Sequence, residues 1–416
     1  MKLDISKVLN DEAEGFIRHI SISKKREDQL KEVREVVRMS IRAAFEALPE
    51  AFQIDSTGRA IYQYPSALSH VEERLLALNT EQKKALTGLS PRFYSQGSFV
   101  YGTLNSPCHK GQQIDIDDGV YLPLEDLKGT PQISNKLFFE IIDNTLQGLA
   151  KEMDNWIFFE KNTCSRIQIS DDAHVDVPLY AIPRREFELI VESMSINSQK
   201  SEKGIAMDSR KMLDKDKVHL AIREPCTWQQ SDPMAIKAWF QSHIAYHGEI
   251  LRRVCRYMKA WRDYSWSDGG GPSSIALMAC VCDSFNQLVT QRKSKFNDND
   301  DGLALLHCSR ILSEQLNGVI DNPIDPENAE KLHPRSNMSA QDRSEVVEFA
   351  HKLYEALDLS VNSTTPAAAI DSLRNVFGER VPNKEHLITY FNAAAIVAST
   401  PAVTQAAPEQ VNSEAG

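Results

Sequence analysis

Residues 113–124 read Gln-Ile-Asp-Ile-Asp-Asp-Gly-Val-Tyr-Leu-Pro-Leu. Ile114 and Ile116 alternate with Asp115 and Asp117 at the period of a β-strand, so the isoleucines enter a core while the two carboxylates share the opposite face. Residues two apart on a strand are separated by roughly 6.5–7 Å, a span that divalent cations bridge. Carboxylates gathered on one face repel unless cations neutralise them. A calcium loop of the EF-hand kind fits poorly, because Gly119 stands where that loop needs a ligand. The plainer alternative is an acidic turn that ends a strand.

Working outward, the run QGSFVYGTLN (96–105) precedes this strand. Its Gly97-Ser98 pair reads as a turn that opens a helix and offers free N–H groups to a phosphate. Alone, such a pair is a common turn. Downstream, HVDVPLYAIP (174–183) places Val175, Val177 and Leu179 on one face and Asp176 on the other. A carboxylate inside an apolar strand needs a partner. Arg166, on the neighbouring run SRIQIS, is one candidate and a metal ion is the other. Three strand-borne aspartates after a Gly-Ser turn form a nucleotidyltransferase arrangement, in which two metal ions about 3.5–4 Å apart orient an attacking hydroxyl and stabilise leaving pyrophosphate. Two Mg²⁺ ions suit all-oxygen ligation, with Mn²⁺ as the alternative.

The rest of the chain sets bounds. Its 416 residues hold 47 Lys+Arg and 58 Asp+Glu, so the net charge is −11. That balance speaks against a standing grip on a long nucleic-acid duplex, whose affinity comes from many Lys/Arg–phosphate contacts. The longest apolar run, Ile275 to Cys282, is eight residues, far short of the roughly 18 that cross a bilayer. The N-terminus carries acids where a secretory signal has its apolar stretch, so the expected location is the cytoplasm, with no membrane partner. Seven cysteines without a paired metal-site frame fit that reading. Cys280 and Cys282, in an apolar helical run, read as buried reduced thiols.

Residues 5–48 read as helical, as do Ser66 to Leu78 and about Asn135 to Met153; short β-rich runs fill most of 92–183, and Ser195 to Asp216 reads as an exposed loop. From Asp232 onward only helices are expected, at about 233–247, 249–264, 272–289, 302–317, 341–358 and 366–377. Strands first and helices later predict an α+β lobe followed by an all-helical lobe. The expected division is 1–230 for the first lobe, N-terminal helices included, 231–398 for the helical lobe, and 399–416 for a disordered tail. Asn297 to Gly302, rich in Asp and Asn, reads as a solvated loop. On the helix near 249–264, Arg252, Arg256 and Lys259 form a cationic stripe at helical spacing. Gly269-Gly270-Gly271-Pro272-Ser273-Ser274 opens the next helix, whose N-terminus suits a phosphate.

With RRVCRYMKAWRDY (252–264) and GGGPSSIALM (269–278) added to the segments above, the chain resembles the bacterial cGAS/DncV-like nucleotidyltransferases, or CD-NTases, over roughly residues 20–390. It is most like their cyclic GMP-AMP synthase branch. The resemblance implies a polymerase-β-like nucleotidyltransferase lobe with a mixed sheet, packed on a helical lobe, with the active site between them. It implies Asp115, Asp117 and Asp176 as metal and catalytic carboxylates, Gly97 and Ser98 as the phosphate turn, and Lys259 and Ser273 as triphosphate contacts. Tyr101 matches a base-stacking position, Arg166 could donate to a guanine edge, and Ser231 could line the other base pocket.

The implied reaction joins ATP and GTP into a cyclic dinucleotide, 3′,3′-cyclic GMP-AMP, with release of pyrophosphate, as a second messenger in anti-phage (CBASS) defence. The same carboxylates would serve a synthase of another cyclic di- or trinucleotide or of linear oligoadenylate. A catalytically inactive nucleotide-binding protein is a different class, against which the three intact aspartates speak. Some members of the family are conjugated through a C-terminal Gly or Ala by an E1–E2-type ligase. Ala415-Gly416 looks like such an end, so Gly416 is the expected conjugation point.

Overall fold

The computed structural model describes residues 2–49, 89–123, 135–182, 218–231, 233–324 and 331–391, with a few positions between 75 and 86. The expected helix over Ser66–Leu78 falls mostly, and the loop at Ser195–Asp216 and the tail with Gly416 fall wholly, outside the described residues.

The stretch read as helical near the N-terminus divides into α1 (Ser6–Asn10), α2 (Phe16–Ile20) and α3 (Lys24–Ala47), after a short β1 (Leu3–Asp4). The first break falls at Asp11, whose carboxylate accepts the N–H groups of Ala13 and Glu14 and so draws the backbone into a turn. Ser23 then caps α3, accepting from the N–H of Arg26.

Next come β2 (Arg92–Ser95), the single-turn α4 (Gly97–Tyr101), β3 (Ile114–Pro123), α5 (Asn135–Glu152), β4 (Ile157–Glu160), β5 (Cys164–Ser170), β6 (Ala173–Ile182), β7 (His219–Ile222) and β8 (Thr227–Gln230). The strands lie in the order β2-β3-β6-β5-β4, with β7 beside the far end of β6 and β8 beside β7. β3 and β6 run parallel and the other pairings are antiparallel, which makes the sheet mixed. α3 and α5 cover one face: Leu30, Ile41, Phe45, Ile142 and Leu146 pack there with Ile114, Ile116, Val175 and Val177. Each such side chain stabilises the lobe by about 1.5–3 kcal/mol when fully buried. Strand alternation leaves the aspartates for the other face.

The second lobe contains α6 (Pro233–His247), α7 (Glu249–Ser265), α8 (Ser274–Arg292), α9 (Asp301–Asn317), the small β9 (Ile320–Asp321) and β10 (Lys331–His333), α10 (Ala340–Asn362), α11 (Pro366–Phe377) and β11 (Thr389–Tyr390). The helices lie within a few residues of the expected spans; the three short strands were not expected. The N-terminal segment departs from the division at 230. Leu3, Ile5, Val8, Leu9, Phe16, Ile17 and Ile20 are buried in the helical lobe's core, and Leu3 pairs with Tyr390. Their apolar faces are too short to close a core alone, so they join that of α7 and α9.

Asn297–Gly302 is not wholly a solvated loop. Asp301 opens α9 and is completely buried, accepting from both Nε and Nη2 of Arg253, from the Tyr257 hydroxyl and from Asn10 Nδ2. Four donors offset the cost of burying that charge. Cys280 and Cys282 are buried free thiols, as expected. No helix among the described residues is long and apolar enough to cross a membrane.

Candidate active site in the interlobe cleft

Parallel pairing of β3 with β6 sets Asp115 beside His174 and Asp117 beside Asp176. Residues paired in this way project to the same side of a sheet, so four polar side chains converge on one patch. Arg166, paired with Asp176 from β5, donates Nε to Oδ1 at 2.6 Å and Nη2 to Oδ2 at 2.7 Å. The ion pair that the sequence allowed is therefore present, and Arg166 is spent on a carboxylate rather than presented to a base. Asp117 is driven well above the usual carboxylate range, first by burial and then by the negative charges of Asp115 and Asp176. Positive charge brought to this patch would stabilise its ionised form.

One carboxylate oxygen each from Asp115 and Asp176 and one ring nitrogen of His174 lie within 4.8 Å of one another. Asp115 Oδ1 and His174 Nε2 are buried without a hydrogen-bond partner, although they approach to 3.1 Å. Two orphaned atoms, one carboxylate oxygen and one imidazole nitrogen, beside the Arg166-paired Asp176 fit a divalent cation. His174 is a residue that the sequence reading passed over. The signal was present, since His174 precedes Asp176 by two residues and so shares its strand face.

Gly97 opens α4 with φ +65°, and a Cβ there would stand 1.9 Å from Asp117 Oδ2. Only glycine lets this turn approach the carboxylates so closely. Ser98 follows it into the cleft.

The facing wall comes from the helical lobe. α7 lies along the segment that joins α4 to β3. Arg252 Nε donates to the Tyr101 carbonyl at 3.1 Å, Arg256 Nε to Asn105 Oδ1 at 3.0 Å, and Lys259 Nζ to the Thr103 carbonyl at 2.7 Å. Asn105 returns a bond to the Arg256 carbonyl, and Gln112 Nε2 donates to the carbonyls of Asp263 and Trp266. The stripe of Arg252, Arg256 and Lys259 is thus a seam between lobes. Burial of Lys259 lowers its pKa to about 8, with the charge of Arg262 adding to the effect.

Beyond α7, Gly269, Gly270 and Gly271 all take positive φ and pass around the Trp266 ring; a Cβ on Gly271 would lie 2.7 Å from it. Ser273 caps α8, its Oγ accepting from the N–H of Ala276 at 3.1 Å. Arg262 braces this end through Ser274 Oγ.

The walls enclose a cavity of about 910 Å³, lined among others by Gly97, Ser98, Tyr101, Asp115, Asp117, His174, Ser231, Lys259 and Ser273. Asp176 and Arg166 stand behind this lining. Tyr101 is largely buried, its ring edge-on to Phe240 at 6.1 Å. Three cations unmarked in the sequence, Lys110, Arg262 and Arg335, also reach the cavity. Arg335 follows β10, far along the chain from every motif, and nothing local could have flagged it.

Two family models match the chain. The nucleotidyltransferase domain described as cyclic GMP-AMP synthase DncV-like matches residues 91–180, and the cyclic GMP-AMP synthase C-terminal domain matches residues 248–390. The cyclic GMP-AMP synthase of Escherichia coli strain TW11681 is 33% identical, over 95% of each chain. The enzyme of that name from Vibrio cholerae serotype O1 is 30% identical, over 96% of this chain and 95% of its own. Among solved structures, the Vibrio cholerae DncV cyclic AMP-GMP synthase in complex with the linear intermediate 5′ pppA(3′,5′)pG superposes with a TM-score of 0.80 at 28% identity, covering 94% of this chain and all of that one. Escherichia coli DncV in its 3′-deoxy GTP-bound form gives 0.76 at 32% identity, with the same coverage.

Proposed function

The chain belongs to the DncV-like cyclic GMP-AMP synthase family, and on that premise we propose that it joins ATP and GTP into 3′,3′-cyclic GMP-AMP with release of pyrophosphate. It is a nucleotidyltransferase. The observation that carries the reading is the convergence of Asp115, Asp117 and Asp176 by strand register, across one cavity from Lys259 and the capped end of α8.

The work divides between the walls. Asp115, Asp117 and Asp176, with His174 among them, would hold the divalent cations, two Mg²⁺ in the simplest form. Such cations polarise the α-phosphate and ease loss of the acceptor hydroxyl's proton. Gly97 admits the donor nucleotide's phosphates beside Asp117, and Ser98 offers them a hydroxyl. Lys259, Ser273 and the free N–H groups at the start of α8 receive the outer phosphates. Arg166 fixes the orientation of Asp176, to which the family resemblance also gives the acceptor proton. Tyr101 and Ser231 border the spaces left for the bases.

In each of two rounds a bond forms from a ribose 3′-oxygen to an α-phosphorus, and the bond from that phosphorus to the pyrophosphate oxygen breaks. The linear intermediate turns over between rounds. The resemblance extends the reading to second-messenger signalling in anti-phage defence.

The test is to incubate the purified chain with labelled ATP, GTP and Mg²⁺ and to read product mass and phosphodiester linkage. A cyclic GMP-AMP mass with two 3′,5′ linkages is expected. Trinucleotide, pyrimidine-containing or absent product overturns the proposal.

A further inference from the structure

We infer that Arg335 grips the terminal phosphate of the donor nucleotide and so sets the preference of the cleft for a triphosphate over a diphosphate. The inference rests on the reading above, that the donor's phosphates run from the carboxylate patch past Lys259 to the start of α8.

The other cations of α7 are already spent on protein oxygens. Arg252, Arg256 and Lys259 donate to the segment 101–105. Arg253 is held by Asp301 and Asp298. Arg262 donates through Nε and Nη2 to Asp263 and through Nη1 to Ser274 Oγ. Arg335 differs from all of these. It lines the cavity, yet its side chain makes no hydrogen bond or ion pair among the described residues. Asp263 is taken by Arg262, and Asp268, exposed on the same rim, forms no ion pair with Arg335.

The backbone that carries this unspent guanidinium is fixed on both sides. His333 is completely buried, and its Nε2 donates to the Leu316 carbonyl at 2.8 Å. β10 pairs with β9. The Arg335 carbonyl accepts the N–H of Met338 at 3.0 Å, and Ser339 caps α10, accepting from the N–H of Asp342. A cation presented from a fixed backbone loses less freedom on capturing an anion than one on a free loop.

The order of the cations decides which phosphate meets Arg335. Lys259 and Arg262 stand three apart on α7 and share a face. The charge of Arg262 lowers the pKa of both Lys259 and Arg335, in each case after burial. The three therefore form a row. Lys259 is 5% exposed at its deep end, Arg262 is partly buried, and Arg335 is exposed at the mouth. Like charges in a row repel, and a polyanion laid along them turns each repulsion into attraction. A chain of phosphates that starts beside Asp117 and passes Lys259 and the capped end of α8 reaches Arg335 last. A triphosphate ends there, and a diphosphate ends short of it. Paired guanidinium N–H groups match the oxygens of a terminal phosphate. Lys110, also at the mouth, is carried by the segment between α4 and β3 and not by the helical lobe.

Two ligands that cannot react test this: α,β-methylene ATP and α,β-methylene ADP, added with Mg²⁺ to the full-length protein and followed by calorimetry. The parent should bind the triphosphate analogue more tightly. Arg335→Ala should lose about tenfold in affinity for the triphosphate, the loss of one charge-assisted contact, and hardly any for the diphosphate. Arg335→Lys should keep part of the preference. In turnover the nucleotide KM of Arg335→Ala should rise about tenfold with kcat near that of the parent, because Arg335 touches no reacting atom. If Arg335→Ala does not fold, Arg335→Gln with the same two ligands decides.

Equal weakening of both analogues, or a preference that survives in Arg335→Ala, overturns the inference while the parent still joins ATP to GTP. A parent that joins no nucleotides and shows no preference between the analogues overturns the inference and the reading above together.

Discussion

The carboxylate wall of the cleft takes its geometry from backbone pairing, whereas the cationic wall takes its geometry from side chains that reach across to the other lobe. On the first wall, β3 and β6 run in parallel register and the aspartates follow wherever the ladder sets them. On the second, Arg252, Arg256 and Lys259 each spend a donor on the segment 101–105. The difference teaches where function and stability are separable. Asp115 or Asp117 of the first wall can lose its charge without loosening the strand that carries it. A cation of the second wall cannot be removed without leaving an oxygen of the opposite lobe unpartnered.

The sharpest way to break this contrast is Asp115→Asn with Asp117→Asn. Product formation should fall by about 10³-fold or more, with circular dichroism and melting temperature close to the parent, since neither residue buries apolar surface. A double variant that keeps a tenth of the parent rate would show that the ladder does not position the chemistry.

Gly97→Ala comes next. The added Cβ would collide with Asp117 Oδ2, and the backbone at φ +65° resists a side chain. Displacement of a reacting group by an ångström costs about 10²-fold in rate, which steady-state kinetics will read. Wild-type turnover would mean that the turn need not touch Asp117.

Lys259→Ala should show the mixed behaviour of the second wall. The nucleotide KM should rise about tenfold, the loss of one charge-assisted contact. The protein should also lose about 1–3 kcal/mol in denaturant melts, because the Thr103 carbonyl is left unpaired. The parent's pH profile carries the same signature. Lys259 titrates near 8 in the folded chain, below the ordinary lysine value near 10.5. Its charge, and with it phosphate affinity, is present below that pH and lost above it, so KM should climb as pH rises through about 8. Stability moves the other way. Between about 8 and 10.5 the unfolded chain binds the extra proton, so the linked contribution rises with pH across that window. A pH-flat KM from 7 to 9 would refute the assignment of Lys259 to the phosphates.

The smallest effect belongs to Arg252→Ala. Its bond to the Tyr101 carbonyl is part of the seam, so a loss of about 1 kcal/mol in stability is expected. KM should change less than twofold. A KM effect equal to that of Lys259→Ala would erase the distinction between seam and phosphate site.

The period-2 alternation of 114–117 and 174–179 was enough to locate a sheet with carboxylates on one face, because that pattern is local. Helix spans in the second lobe were legible for the same reason, at period 3.6. What escaped the sequence was pairing between distant segments. Nothing in residues 3–20 says that their apolar side chains will be buried against α7 and α9 rather than against the sheet. Nothing in the composition of 297–302 says that Arg253 will reach Asp301 and draw it inside. Arg335 and Gln112 enter the cleft region only after the lobes have met. His174 differs: its strand face is readable from the alternation, but its nearness to Asp115 depends on the parallel register of β3 with β6.

The pairing of Leu3 with Tyr390 has a consequence in time. A ribosome adding roughly 5–20 residues per second needs on the order of 20–80 s to travel from one of these strands to the other. For more than half of that interval Leu3, Ile5, Val8 and Leu9 have been made and α7 and α9, against which they pack, have not, and Tyr390 comes last of all. The nascent sheet lobe can close around β3 and β6 early, while the first twenty residues wait on the surface of an unfinished molecule. Their docking then becomes the closing event of biogenesis. An N-terminal fusion that obstructs Leu3, or a nascent chain stalled before α7 emerges, should strand the helical half as a chaperone client while the carboxylate ladder is already in place.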